Sequence, residues 1–125
     1  MKTLLIATAT LVSLAAPAHS QTVLTCPVYA YETYIPVEEV YSYDDPEPAF
    51  IDGEVEGSRV NVRTGPGLDY EATAYGLVGE DVEIIGQAFS RTCETWIQVQ
   101  FPDSEHVGWV HNDFIGLGYA RGWWD

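Results

Sequence analysis

Past its second residue the chain contains no lysine. From residue 21 onward the bases are Arg59, Arg63, Arg91 and Arg121, and they face 19 aspartates and glutamates. The formal net charge of the 125 residues is −14. Such a surface repels nucleic-acid phosphates and anionic headgroups, so neither is expected as a partner. High solubility accounts for the charge, and a cationic group on a ligand would also suit it. A helical period longer than one turn, an internal repeat and a low-complexity tract are all missing.

Scarcity excludes chemistry as well. The histidines are His19, His106 and His111, and the cysteines are Cys26 and Cys93. Structural zinc sites need four closely spaced Cys or His ligands. His106 and His111, five apart, would point to opposite faces of a strand. No metal and no cofactor are expected. For acyl transfer there is no G-x-S-x-G and no cysteine with a plausible histidine partner. Glycosidase chemistry needs one carboxylate pair set in a cleft, and nothing in so acidic a chain singles out a pair. The expectation is a protein that is not an enzyme.

The first 20 residues have a layout of their own. Lys2 precedes an apolar run, Leu4 to Ala16, broken only by Thr and Ser; Pro17 ends it, and Ala18-His19-Ser20 follows. This is the arrangement of a secretory signal peptide cut before Gln21. The run is shorter than the roughly 20 apolar residues of a spanning helix. No cysteine follows it directly, which argues against a lipid anchor. An exported protein, periplasmic or secreted, with no membrane segment after cleavage is expected. In an oxidising compartment two cysteines in a small domain pair, so Cys26 and Cys93 are expected to form a disulfide. The alternative is a nucleophilic cysteine beside His106 or His111.

Three zones follow the signal peptide (1–20). Residues 21–56 hold nine carboxylates, no base, five tyrosines from Tyr29 to Tyr43 and four prolines. Val28 to Val37 has strand-like residues, and Asp44-Asp45-Pro46-Glu47-Pro48 has a loop composition. The zone reads as an extended N-terminal arm with one or two short strands, tied down by Cys26. Residues 57–117 are compact. Val60 and Val62 alternate with Asn61 and Arg63 at the period of a half-buried strand. Gly65-Pro66-Gly67 forces a turn. Val82 to Ile85 reads as a short strand closed by Gly86; Ile97, Val99 and Phe101 alternate with polar residues; Val107 to Val110 forms a final strand. Short strands between turn signals predict a small barrel or sandwich. Residues 118–125 end in Trp123-Trp124-Asp125, a tail in which one indole would pack and the other stay exposed.

The compact zone resembles a known family. Arg59-Val60-Asn61-Val62-Arg63-Thr64-Gly65-Pro66-Gly67-Leu68-Asp69-Tyr70 is similar to the opening of bacterial SH3 domains, V-N-V-R-S-G-P-G-x-x-Y. Gly76 to Val82, Trp96-Ile97-Gln98-Val99 and Gly108-Trp109-Val110-His111-Asn112-Asp113-Phe114-Ile115 resemble its later segments in the same order. Thr64, Phe114 and Ile115 replace the usual Ser, Tyr and Leu. The resemblance implies an all-β, SH3-like β-barrel of five to six short strands. Val60, Val62, Val82, Ile84, Val99 and Val110 would form its core, with Trp109 covering one end. Arg63, Gly65, Pro66, Gly67 and Gly108 would be structural, Arg63 bracing the loop through carbonyls or Asp69. The resemblance further implies a binding module for a peptide or cell-wall ligand, with Tyr70, Trp96, His111, Asn112 and Phe114 as candidate groove residues. A docking adaptor that contacts an envelope protein through the tyrosine-rich arm or the tryptophan tail is the alternative, and a cryptic cell-wall hydrolase is a third, less favoured reading.

Overall fold

The computed structural model describes residues 24–120. The signal-peptide expectation and the Trp123-Trp124 tail lie outside those residues. The elements are β1 (Thr25–Val28), β2 (Thr33–Pro36), β3 (Tyr41–Ile51), β4 (Arg59–Arg63), β5 (Ala72–Leu77), β6 (Asp81–Phe89), β7 (Thr95–Gln100), β8 (Val107–His111) and β9 (Ile115–Leu117). Single 3-10 turns cover Tyr29–Tyr31 and Asn112–Phe114. The fold is all-β, as expected. Six strands fall in the compact zone, and β1, β2 and β3 come from the acidic zone before it.

β1 and β2 form an antiparallel hairpin, and the rest form one sheet of order β5-β4-β8-β7-β6-β3-β9. The sheet curls around a core of Ala49, Ile51, Val60, Val62, Val82, Ile84, Ile97, Val99, Phe101 and Val110. All six aliphatic residues expected in the core are there. Alternate residues of a strand face opposite ways, so Val110 turns inward while Trp109 turns outward. Trp109 therefore does not cap the main core. With Ala88 and Trp96 it makes a second, smaller buried cluster on the outer face of β6, β7 and β8.

Two expectations about local structure need correction. Asp44 to Pro48 does not interrupt the chain as a loop; it lies within β3. The ladder to β6 breaks between Ser42 and Glu47, and β9 pairs only with Ala49–Ile51. Pro46 thus sits in the irregular stretch, where a missing N–H costs no ladder bond, while Pro48 is in register with Glu83 and its carbonyl accepts the Gly118 N–H at 2.9 Å. Gly86 does not close its strand either. β6 runs on to Phe89, with a register shift between Ile84 and Gly86. A Cβ at Gly86 would come within 3.0 Å of the Tyr41 carbonyl and 2.9 Å of Gln98 Oε1, so this glycine lets three strands approach at a bulge.

The acidic zone is more than an appendage: β3 lies between β6 and β9 and contributes Ala49 and Ile51 to the core. The hairpin is held separately. Cys26, fully buried, is disulfide-bonded to Cys93 with Cα atoms 5.5 Å apart. Cys93 lies in the Ser90–Glu94 turn between β6 and β7, where Ser90 N–H donates to the Glu94 carbonyl at 2.8 Å. Just after β2, Glu38 N–H donates to the Phe89 carbonyl at 2.7 Å. Restricting a loop of 67 residues in the unfolded chain stabilises the fold by about 4 kcal/mol on the chain-entropy account. Replacing both cysteines by serine should lower the stability read from urea unfolding by about 2–4 kcal/mol and steepen the slope, because the unlinked chain unfolds to a more expanded state. Unchanged stability would show that the hairpin is not held to the barrel by the disulfide.

Candidate functional site

β4 and β8 share one registered pair, Arg63 with Trp109. Toward Arg59 the two strands part, and β8 runs instead into the Asn112–Phe114 turn. The space between them is a cleft of about 320 Å³. Arg59, Asn61 and Arg63 border it from β4; Trp96 and His111 lie across it; Leu68, Asp113 and Phe114 stand at its ends. Two of the four arginines beyond residue 20 thus border one opening of a strongly acidic chain.

Each wall is built differently. Arg59 is exposed, with its guanidinium carbon 4.3 Å from the centre of the Tyr75 ring on β5. Stacking on an aromatic face leaves the N–H edges of a guanidinium free for other partners. Arg63 is committed to the fold: its Nη1 donates to the Tyr70 carbonyl at 3.0 Å and lies 3.5 Å from that of Leu68. This is the bracing expected of Arg63, made through carbonyls and not through Asp69. On the opposite wall His111 Nε2 is 2.6 Å from Glu94 Oε1, and Nδ1 accepts the Asp113 N–H at 3.0 Å. A neutral ring that accepts at Nδ1 carries its proton on Nε2 and donates it to Glu94. The imidazole also stacks edge-on against Trp96, with centroids 5.2 Å apart.

Of the residues expected in a groove, the fold brings Trp96, His111 and Phe114 together around this cleft. Trp96 is 2% exposed, so it contributes little more than an edge to the floor. Asn112, the first residue of the 3-10 turn, and Tyr70 are not among the lining residues. Tyr70 packs against the turn before it. A Cβ at Gly65 would lie 2.5 Å from the Tyr70 ring, so the ring occupies the space that a glycine leaves. Its hydroxyl faces the Glu38 carboxylate, which pushes its pKa up, and burial adds to that. Sequence reasoning missed Arg59 as a cleft residue, although its alternation with Asn61 and Arg63 already put all three on one face.

Residues 58–116 match the family model described as bacterial SH3 domain. The fold and this match define that part of the chain as a bacterial SH3 domain, a binding module by class. Over 65 residues, 52% of its length, the chain is 30% identical to Serine/threonine-protein kinase D of Synechocystis sp.. It spans about an eighth of that relative's length, covering 13% of it. No solved structure matches the chain.

Two outcomes follow from this geometry. Gly65→Ala should destabilise by about 1–3 kcal/mol through overpacking against Tyr70. In a Tyr70→Ala background it should cost much less, because the ring that it strikes is gone. Additive costs in denaturant unfolding would contradict the packing. The second concerns Glu94, whose pKa is lowered first by the His111 hydrogen bond and then by that of Thr92. A carboxylate lowered on folding stabilises the fold above its unfolded pKa, and that contribution disappears as pH falls through the folded value. His111→Phe should therefore raise the Glu94 titration midpoint toward the ordinary glutamate value, read by carboxyl NMR. An unmoved midpoint would refute the assignment.

Proposed function

We propose that this protein is an exported, non-catalytic binding module whose β4–β8 cleft takes an extended peptide of the cell wall or of an envelope protein. One observation carries the reading: β4 has a ladder partner on its β8 side only at Arg63, so the edge from Arg59 to Asn61 borders open space. A strand edge supplies main-chain donors and acceptors to an added extended segment, and neighbouring pockets select its side chains. Leu68 and Phe114, 73% and 43% exposed, offer apolar surface at the ends of that track. Asp113 on one wall suits a ligand amine. The paired cysteines favour an oxidising location, in keeping with the leader-like start of the sequence. The expected ligand is a peptidoglycan stem peptide, which is extended and carries both amines and carboxylates.

A second reading has its own observation. Tyr29, Tyr31, Tyr34 and Tyr41 are all at least two-thirds exposed on the hairpin and at the start of β3. Exposed tyrosines presented by a disulfide-held hairpin suit docking to an envelope protein, with the barrel acting as the support.

Co-sedimentation with purified peptidoglycan sacculi separates the two. Wild type should bind saturably. Phe114→Ala, exposed and so tolerated by the fold, should weaken binding about tenfold, while Tyr29→Ala with Tyr31→Ala should leave it unchanged. Absence of binding at every salt concentration would refute the wall ligand. Loss of binding in the tyrosine variant alone would move the site to the hairpin.

A further inference from the structure

Three arginines, Arg59, Arg63 and Arg91, lie among the described residues, and their commitments are unequal. Arg63 donates into the backbone of the following turn. Arg91 lies 3.5 Å from the Glu38 carboxylate. Arg59, on the wall of the cleft, has Tyr75 beneath it and no carboxylate within salt-bridge distance among the described residues. In a chain of net charge −14 such an unmatched guanidinium is conspicuous. Carboxylates are abundant, and a surface arginine would ordinarily find one. The aromatic ring fixes the height of the guanidinium plane over β5, and its planar fork of donors matches the two oxygens of a carboxylate.

The two walls of the cleft also differ in sign. Arg59 and Arg63 stand on β4, and Asp113 stands beyond His111 on the other side. His111 is already engaged with Glu94 and with the Asp113 backbone, so it has no free nitrogen for a ligand. Arg63 spends its Nη1 on backbone carbonyls, so Arg59 is the exposed guanidinium bordering the cleft that makes no hydrogen bond or salt bridge among the described residues.

We infer that Arg59 is a carboxylate subsite: it receives a carboxylate of the peptide in the β4–β8 cleft and sets the direction in which the ligand lies. This inference rests on the peptide reading of the cleft and adds the ligand's polarity to it. The ligand's carboxylate lies toward the β4 wall and any amine toward Asp113. The contact is short-ranged. At distances beyond about 8 Å the charge is screened at physiological salt, and the chain as a whole repels anions. Selectivity for a carboxylate must then arise in the cleft itself.

In a stem peptide of the lysine type the carboxylate has two sources, the chain end and the glutamate, and three synthetic probes tell them apart. These are a stem tetrapeptide with both carboxylates free, its C-terminal amide, and the same peptide with glutamine in place of glutamate. Binding of each to residues 21–125 is measured by titration calorimetry, for wild type, Arg59→Gln and Arg59→Lys. A charge-assisted hydrogen bond predicts that one amide, and not both, binds wild type about tenfold or more weakly. Arg59→Gln should bind the free acid as weakly as wild type binds that amide, and should no longer distinguish the two. Arg59→Lys should recover part of the preference, because charge survives and the fork does not. Equal wild-type affinity for all three probes would overturn the carboxylate subsite and leave the peptide reading standing. No binding of any probe would overturn both.

Discussion

Gly108 is the residue on which this architecture turns. A Cβ there would run into a Val62 methyl and come within 3.2 Å of the Arg63 carbonyl, so only glycine lets β8 lie against β4. At that point Arg63 pairs with Trp109, the main core lies on one face and the Trp96–Trp109–Ala88 cluster on the other. Immediately beyond it the strands separate. The joining of β4 to β8 and the opening of the cleft are therefore two consequences of one close approach. Arg63, fixed there, reaches the carbonyls of the Gly65–Tyr70 turn, so the rim of the cleft is set by the same residue that joins the two strands.

The second organising link is covalent. The Cys26–Cys93 bridge joins the hairpin to the turn that also carries Glu94. Glu94 holds His111, and His111 stacks on Trp96. Ser90, Thr92 and Glu94 border a second hollow of about 300 Å³ that shares Leu68 and Trp96 with the cleft. The hairpin is thus mechanically continuous with the far wall of the cleft. A binding module with one preformed edge gains affinity by having its walls held before the ligand arrives, and this chain of contacts does the holding.

Much of the barrel was legible because its strands alternate. Val60 and Val62, Val82 and Ile84, and Ile97 and Val99 mark their buried faces at period two. The G-P-G turn and the G-W-V segment also carry a recognisable pattern. What escaped was set by contacts distant in sequence. Composition alone made Asp44 to Pro48 a loop, since nothing local reveals that one side of β3 is free there and that its carboxylates point to solvent. Gly86 read as a stop because a bulge and a terminator use the same residue. Of the candidate groove, the aromatic and imidazole components Trp96, His111 and Phe114 could be named from the resemblance. Tyr70 turned out to pack on Gly65. Arg59 could be recognised only once the parting of β4 from β8 and the absence of a nearby carboxylate were visible.

The central claim is that ligand enters where β4 leaves β8. Its most direct test is amide and indole chemical-shift mapping of isotope-labelled protein titrated with muramidase-solubilised peptidoglycan fragments. The account predicts that shifts concentrate along Arg59 to Arg63, at the Trp96 indole N–H and across His111 to Phe114. Shifts confined to the β1–β2 hairpin around Tyr29, Tyr31 and Tyr34, with the cleft unmoved, would contradict it.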